Sequence, residues 1–217
     1  MDAAVDQPET KIAAHTMSSE AYNALDRKIL FEHEDYLSPE LGYPERPVES
    51  WFKPHILPLV LEHAGQRDNI LDVGCAFGYI SRILAEHFSY VLAIDLAQNR
   101  VDYAKAYEQP GRLDFKQVDL VKDRLAGLSD TKFDTVYTSA VIQHIPLNDK
   151  PTAIRNIAEV TAIGGIMLMF DHRDELEIRD DFVGSYNERY WDQYPEWRLL
   201  SIEFVVGDTW FYKFQRI

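Results

Sequence analysis

The sequence predicts an α/β protein built on a mostly parallel sheet. Three observations carry that expectation. Short apolar runs recur at residues 70–73, 90–94, 113–118, 133–139 and 166–170. Segments with helical spacing separate them, and strands separated by helices imply right-handed parallel crossovers. The last two β-rich runs, 199–206 and 209–217, are joined only by Gly207-Asp208, which reads as an antiparallel hairpin.

The elements follow in order. Residues 1–18 are small and polar with no apolar period, and are expected to form a disordered tail. Residues 19–48 are expected to form an N-terminal helical lid: Tyr22, Leu25, Ile29 and Leu30 fall near helical spacing before Pro39, Pro44 and Pro47 break it. The main domain is expected over 49–217. Its first helix runs from Glu49 to Ala64, with Gly65 as its stop. Pro54 fits that helix's first turn, whereas Pro58 must displace a hydrogen bond or bend it. Helices are then expected over 79–88, where Ile80, Ile83, Leu84 and Phe88 share a face, and over 97–107, which Pro110-Gly111 terminates. A weaker helix is expected over 121–128 and another over 150–161. Gly164-Gly165 is expected to turn the chain into the fifth strand.

Bulk properties narrow the class. A chain of 217 residues suits one domain with a small appendage. Its 46% hydrophobic and 27% charged residues are those of an ordinary globular protein. Cys75 is the only cysteine, so no internal disulfide can form. No apolar run reaches the roughly 18 residues of a membrane helix. The N-terminus lacks the basic start and apolar stretch of a signal peptide, so a cytoplasmic location is expected. Twenty-two basic and 36 acidic residues give a formal charge of -14. That field repels a phosphate backbone, and no basic stripe offsets it. The charge reads first as solubility and second as attraction for a cationic substrate.

The chemistry begins at Asp72-Val73-Gly74-Cys75-Ala76-Phe77-Gly78. A glycine-rich turn between strand and helix lets backbone amides approach a nucleotide. The dinucleotide pattern G-x-G-x-x-G is absent, because Ala76 stands at the middle position. Asp72 adds a carboxylate beside the turn, which disfavours a pyrophosphate and favours a ligand carrying positive charge. Asp95 ends the second strand, where a carboxylate can accept hydrogen bonds from ribose hydroxyls. Asp119 ends the third, where an acid can accept from an adenine amino group. Each aspartate alone could be an ordinary strand-end residue. Three at successive strand ends point to a ligand, since open α/β sheets bind ligands there.

The segments 70–81, 91–95, 113–119, 133–146 and 164–170 together resemble the successive motifs of class I S-adenosylmethionine-dependent methyltransferases, of the small-molecule type. The resemblance runs over roughly residues 50 to 217. It implies a seven-stranded, mostly parallel Rossmann-like methyltransferase sheet with a C-terminal antiparallel hairpin. It also implies S-adenosyl-L-methionine as cofactor, with Asp72 and Gly74 facing its methionine part, Asp95 its ribose and Asp119 its adenine. Cys75, Gly78, Leu96, Leu120 and Ser139 complete the implied cofactor-binding set, Cys75 as a small residue bordering the cofactor rather than a nucleophile.

The segment Ser139-Ala140-Val141-Ile142-Gln143-His144-Ile145-Pro146 follows the fourth strand and borders the reaction centre in that fold. Methyl transfer to oxygen or nitrogen needs alignment and usually removal of a proton from the acceptor. His144 is the economical general base; the alternative is a histidine that braces the pocket. His172, leaving the fifth strand, is the second catalytic candidate. No metal site is expected, since no carboxylate follows Ser139 directly. The aromatics of 180–197 either wall the acceptor pocket or form a buried helix stripe through Tyr186, Tyr190 and Tyr194. The expected partner is a small-molecule methyl acceptor (a natural product, sugar or amine) rather than nucleic acid or a membrane, with a homodimer left open. Two other readings stay open: a catalytically silent cofactor-binding subunit of the same fold, and a nicotinamide-dependent oxidoreductase.

Overall fold

The computed structural model describes residues 48–146, 148–172, 188–206 and 209–217. The expected tail, nearly all of the expected lid, the hairpin turn at Gly207-Asp208 and the segment 173–187 lie outside the described residues.

Val48–Ile56 winds as a π-helix and continues into α1 (Leu57–His63). The change of pitch accommodates both prolines. Pro54 lies in the π-helical stretch, and Pro58 falls in the first turn of α1, where a missing N–H leaves no interior bond unmade. The alternation then follows as β1 (Asn69–Val73), α2 (Tyr79–His87), β2 (Tyr90–Asp95), α3 (Gln98–Ala104), β3 (Leu113–Gln117), β4 (Phe133–Ser139), α4 (Lys150–Val160) and β5 (Thr161–His172). The chain ends with a short α5 (Glu188–Trp191), β6 (Trp197–Val206) and β7 (Thr209–Arg216).

These strands form one sheet in the order β3-β2-β1-β4-β5-β7-β6. The first five are parallel, and β7 inserts antiparallel between β5 and β6. Strand order reverses between β1 and β4, which is where such sheets open a crevice at their carboxyl edge.

The central strands β1, β2 and β4 and the 166–170 part of β5 are buried on both faces and read as apolar runs, whereas the edge strands β3 and β6 are partly exposed. Alternate residues feed two cores. Leu71, Val73, Ile94, Val136, Met169, Tyr212 and Phe214 pack with α4 on one face. Ile70, Ala93, Tyr137, Leu168 and Phe211 pack on the other with Phe52, Val60, Leu84 and Val101. Trp191, Tyr194 and Trp197 join the first core, with the Trp191 ring 4.4 Å from that of Phe214. The part of the aromatic segment that is described is therefore buried packing.

Two expectations are corrected. The helix over 121–128 is only a 3-10 turn at Leu125–Gly127. The Asp119 carboxylate accepts the amides of Val121 and Lys122 at 2.9 and 3.2 Å, which ties the chain into a turn instead. Gly164-Gly165 is not the entry to β5. The strand already pairs at Thr161 with Phe133, and the glycines form a bulge before pairing resumes between Ile166 and Thr135. Gly164 has φ +81°, and a side chain on Gly165 would meet Ala162 O at 2.8 Å.

Gly78 caps α2 at φ +74°, and a Cβ there would lie 2.6 Å from the Phe115 ring. Gly78→Ala is expected to lose about 2–4 kcal/mol of unfolding free energy through left-handed strain and overpacking. Urea denaturation measures it, and a near-neutral variant would contradict this packing.

Candidate cofactor and active site

The glycine loop is shaped by β2. Ile94 O accepts the amides of Gly74 and Cys75 at 2.8 and 2.9 Å, folding the loop back over the end of the neighbouring strand. Gly74 and Gly78 take left-handed conformations at φ +80° and +74°, and so does Ala76 at φ +47°. The Ala76 amide donates to Asp95 Oδ2 at 2.8 Å, which holds that residue in place; Asp95 Oδ1 accepts from Ala97 N at 2.9 Å.

Beside this loop lies a cleft of about 440 Å³ over the carboxyl ends of β1, β2, β3 and β4. That volume falls in the range of small-molecule sites. Of the residues singled out in the sequence, Gly74, Asp95, Leu96, Asp119, Leu120, Ser139 and His144 line it. Ala76, Arg100, Val141 and Ile145 line it too. A larger surface cleft of about 740 Å³, between Lys53, Arg82 and Tyr107, touches none of the strand-end aspartates. It stands apart from this chemistry.

Three residues of the implied cofactor-binding set are not on the cavity wall: Asp72, Cys75 and Gly78. Asp72 is buried beneath the loop, 2% exposed, and accepts a hydrogen bond from Ser81 Oγ at 2.6 Å. Burial pushes its carboxyl up to about 7 against the pull of the Ser81 bond, and the Asp95 charge raises it further. It carries only part of a charge at neutral pH, so the repulsion of phosphate expected from Asp72 is weaker than its residue type implies. Cys75 is also buried, its thiol pushed up by desolvation and by both neighbouring aspartates. That is the environment of an inert thiol.

The two wall carboxylates differ in what they have left to offer. Each Asp95 oxygen holds one backbone amide and retains acceptor capacity. Asp119 Oδ1 accepts two turn amides, and its Oδ2 lies 3.5 Å from Lys122 Nζ. His144 is exposed at the rim, with its backbone N–H bonded to Val141 O at 2.9 Å and its Nε2 3.3 Å from Gln143 Nε2. His172 ends β5 opposite Thr209, and its side chain lies outside the described residues. Among the described residues no group of three or more His, Cys, Asp or Glu could hold a metal ion. Likewise, no helix among them is long and apolar enough to cross a membrane.

Wall residues that the sequence reading did not assign to the site include Arg100, Val121, Lys122 and Asp149. Arg100 lies in α3, one turn beyond Asp95, with its guanidinium 5.6 Å from the Phe77 ring. Its only sequence signal is its distance from the end of β2.

Comparison with known proteins agrees with this geometry. Residues 71–169 match the methyltransferase domain family. The ubiquinone biosynthesis O-methyltransferase of Xanthomonas euvesicatoria is 34% identical over 131 residues, which cover 58% of this chain and 52% of that protein. The malonyl-acyl-carrier-protein O-methyltransferase of Serratia marcescens is 30% identical over 113 residues, covering 52% of this chain and 41% of that protein. The chain spans about half the length of the curated relatives it matches. Among solved structures, the DhpI–SAH complex superposes with a TM-score of 0.69 at 16% identity, covering 91% of this chain and 96% of that one. The methyltransferase-domain match over 71–169 and the shared fold agree with the resemblance to class I S-adenosylmethionine-dependent methyltransferases that the sequence motifs carry.

The raised Asp72 carboxyl has a consequence for stability. The folded state holds this proton more tightly than the unfolded chain does. Burial of Asp72 therefore costs nothing below a pH of about 4, costs more as pH rises towards about 7, and costs its full amount above that. Asp72→Asn is expected to raise unfolding free energy by roughly 1–3 kcal/mol at about pH 8 and to change it little near pH 4. Urea unfolding at the two pH values decides the matter; a variant no more stable than the parent at the higher pH rules the account out.

Proposed function

We propose that this chain binds S-adenosylmethionine in the cleft beside the glycine loop and catalyses methyl transfer to an oxygen or nitrogen of a small-molecule acceptor. The observation that carries the reading is the cleft itself. It sits at the reversal of strand order, with Asp95 and Asp119 on one wall and His144 on the rim.

The free acceptor capacity of Asp95 suits the two hydroxyls of a ribose. Leu96 and Leu120 offer apolar surfaces for an adenine ring, and Asp119 stands beside them to accept from its amino group. Gly74 and Ser139 border the methionine part. The bound cofactor supplies an electrophilic methyl on a sulfonium. Attack by the acceptor's lone pair would return the carbon–sulfur pair to sulfur and leave S-adenosylhomocysteine. His144 takes the proton that the acceptor loses. Its exposed position at the rim suits a base that must reach an incoming molecule.

A small acceptor agrees with the net charge of -14, which disfavours nucleic acid. It also agrees with the O-methyltransferase names of the curated relatives. Asp95, Asp119 and Asp149 on the cavity wall extend the reading to amines.

Calorimetry with S-adenosylhomocysteine is expected to show binding that Asp95→Ala weakens about tenfold or more, the scale of lost charge-assisted hydrogen bonds. No heat with the parent chain would sink the cofactor assignment. Labelled methyl from S-adenosylmethionine is expected to enter some member of a panel of phenols, catechols and amines. With that acceptor, His144→Ala should lose roughly 10²–10⁴-fold in kcat while S-adenosylhomocysteine affinity holds. Unchanged turnover removes the base, and binding without transfer to any acceptor points to a silent subunit.

A further inference from the structure

Asp171 is a buried carboxylate that the chemistry above does not use. It lies near the end of β5, 2% exposed, and neither oxygen makes a hydrogen bond of ordinary geometry. It is nevertheless surrounded by donors. The backbone amides of Ala140, Val141 and Gln143 face it, and the Ala140 amide is already committed to Phe170 O at 2.9 Å. Lys150, the first residue of α4, is fully buried and bears on the same carboxylate. The connection from β4 to α4 thus begins and ends against one charge. It leaves β4 through Ala140 at φ +53°, a conformation that a non-glycine residue holds only when its surroundings enforce it. The same connection carries Val141, His144 and Ile145 onto the cavity wall.

We propose that Asp171 is a positioning residue of the methyl-transfer site: with Lys150 it holds the 140–150 connection in the conformation that sets Val141 and His144 against the cofactor cleft. The proposal rests on the reading of that cleft given above. Asp171 is not on the cavity wall, so it acts through the connection and not on the substrate. Its charge state agrees with the role. Burial pushes the carboxyl up to about 7, with Lys150 and the three facing amides pulling it down. Burial likewise brings Lys150 down to about 8, with Asp171 opposing. From β4, Tyr137 also feels this carboxylate, and its phenol is raised mainly by burial. Tyr212 of β7 pairs with Met169 and shares the Asp171 face of the sheet. Above about pH 7 the carboxylate is charged and draws the amides in; below it the hold relaxes.

Amide proton–nitrogen spectra of the full chain without ligand, recorded from about pH 5.5 to about 8.5, test this directly. Val141 and Gln143 are expected to shift with a shared midpoint near 7. Asp171→Asn, which keeps the side chain's size and one acceptor, should abolish that step, and Lys150→Met should move it upward. Asp72 titrates in the same range on β1 and the His144 imidazole lies 3.3 Å from Gln143, so the spectra are repeated with Asp72→Asn and with His144→Ala, and each should leave the step in place. Calorimetry with S-adenosylhomocysteine should find Asp171→Asn about three- to tenfold weaker at pH 8 but close to the parent at pH 6. A step that is absent, or that survives Asp171→Asn, overturns the proposal. So does an Asn variant whose binding follows the parent's pH profile. A parent that binds no S-adenosylhomocysteine defeats the cofactor reading instead, and the amide titration still reports on Asp171.

Discussion

Both oxygens of Asp95 are engaged by backbone amides, one from the glycine loop and one from the turn into α3, and this double bridge organises everything else at the sheet edge. The β1–β2 ladder ends at Val73 and Ile94. Beyond it, the loop is carried across β2 by the Ile94 carbonyl and then caught by Asp95. Ala76 has no glycine freedom, yet it sits at positive φ; the charge-assisted bond from its amide offsets that strain. The residue proposed to meet a ribose is thus the residue that shapes the loop beside it. Loss of Asp95 would loosen this wall of the cleft by freeing the Ala76 and Ala97 amides.

Some of this was legible in the sequence and some was not, and the difference is physical. A strand buried on both faces shows as an apolar run, so Phe133–Ser139 is readable to the residue. The order of the hairpin is readable because two β-rich runs with a two-residue link allow little else. A run of residue types does not tell which way a strand-end carboxylate points. Asp72 and Asp95 look alike in sequence, but one is sealed under the loop against Ser81 and the other faces the cleft. Arg100 and Val141 reach the cavity through the α3 and β4 connections, whose paths depend on tertiary contacts. The bulge at Gly164-Gly165 is readable as glycine but not as pairing, because its partner strand begins some thirty residues earlier.

Two acids are buried towards the carboxyl ends of strands in the same sheet, Asp72 on β1 and Asp171 on β5 with β4 between them, and both carboxyls are raised mainly by burial. Isolated carboxylates in such places cost stability unless something compensates. Asp72 has the Ser81 hydroxyl; Asp171 has Lys150 and the facing amides. In each case the compensating groups belong to a segment that shapes the cleft: the start of α2 for Asp72 and the β4–α4 connection for Asp171. The stability surrendered at these positions is spent on fixing where loops leave the sheet.

The glycine pattern itself has a different meaning from the one its letters suggest. In a dinucleotide site the glycines clear space for a pyrophosphate. Here a Cβ on Gly74 would lie 2.1 Å from a Val141 methyl, and one on Gly78 would meet the Phe115 ring. The space is taken by the protein's own side chains, one from the β4 connection and one from β3. Val141 therefore stands against the loop where a phosphate would have to approach the Gly74 backbone. The cleft that remains opens instead between the loop, Asp95 and His144.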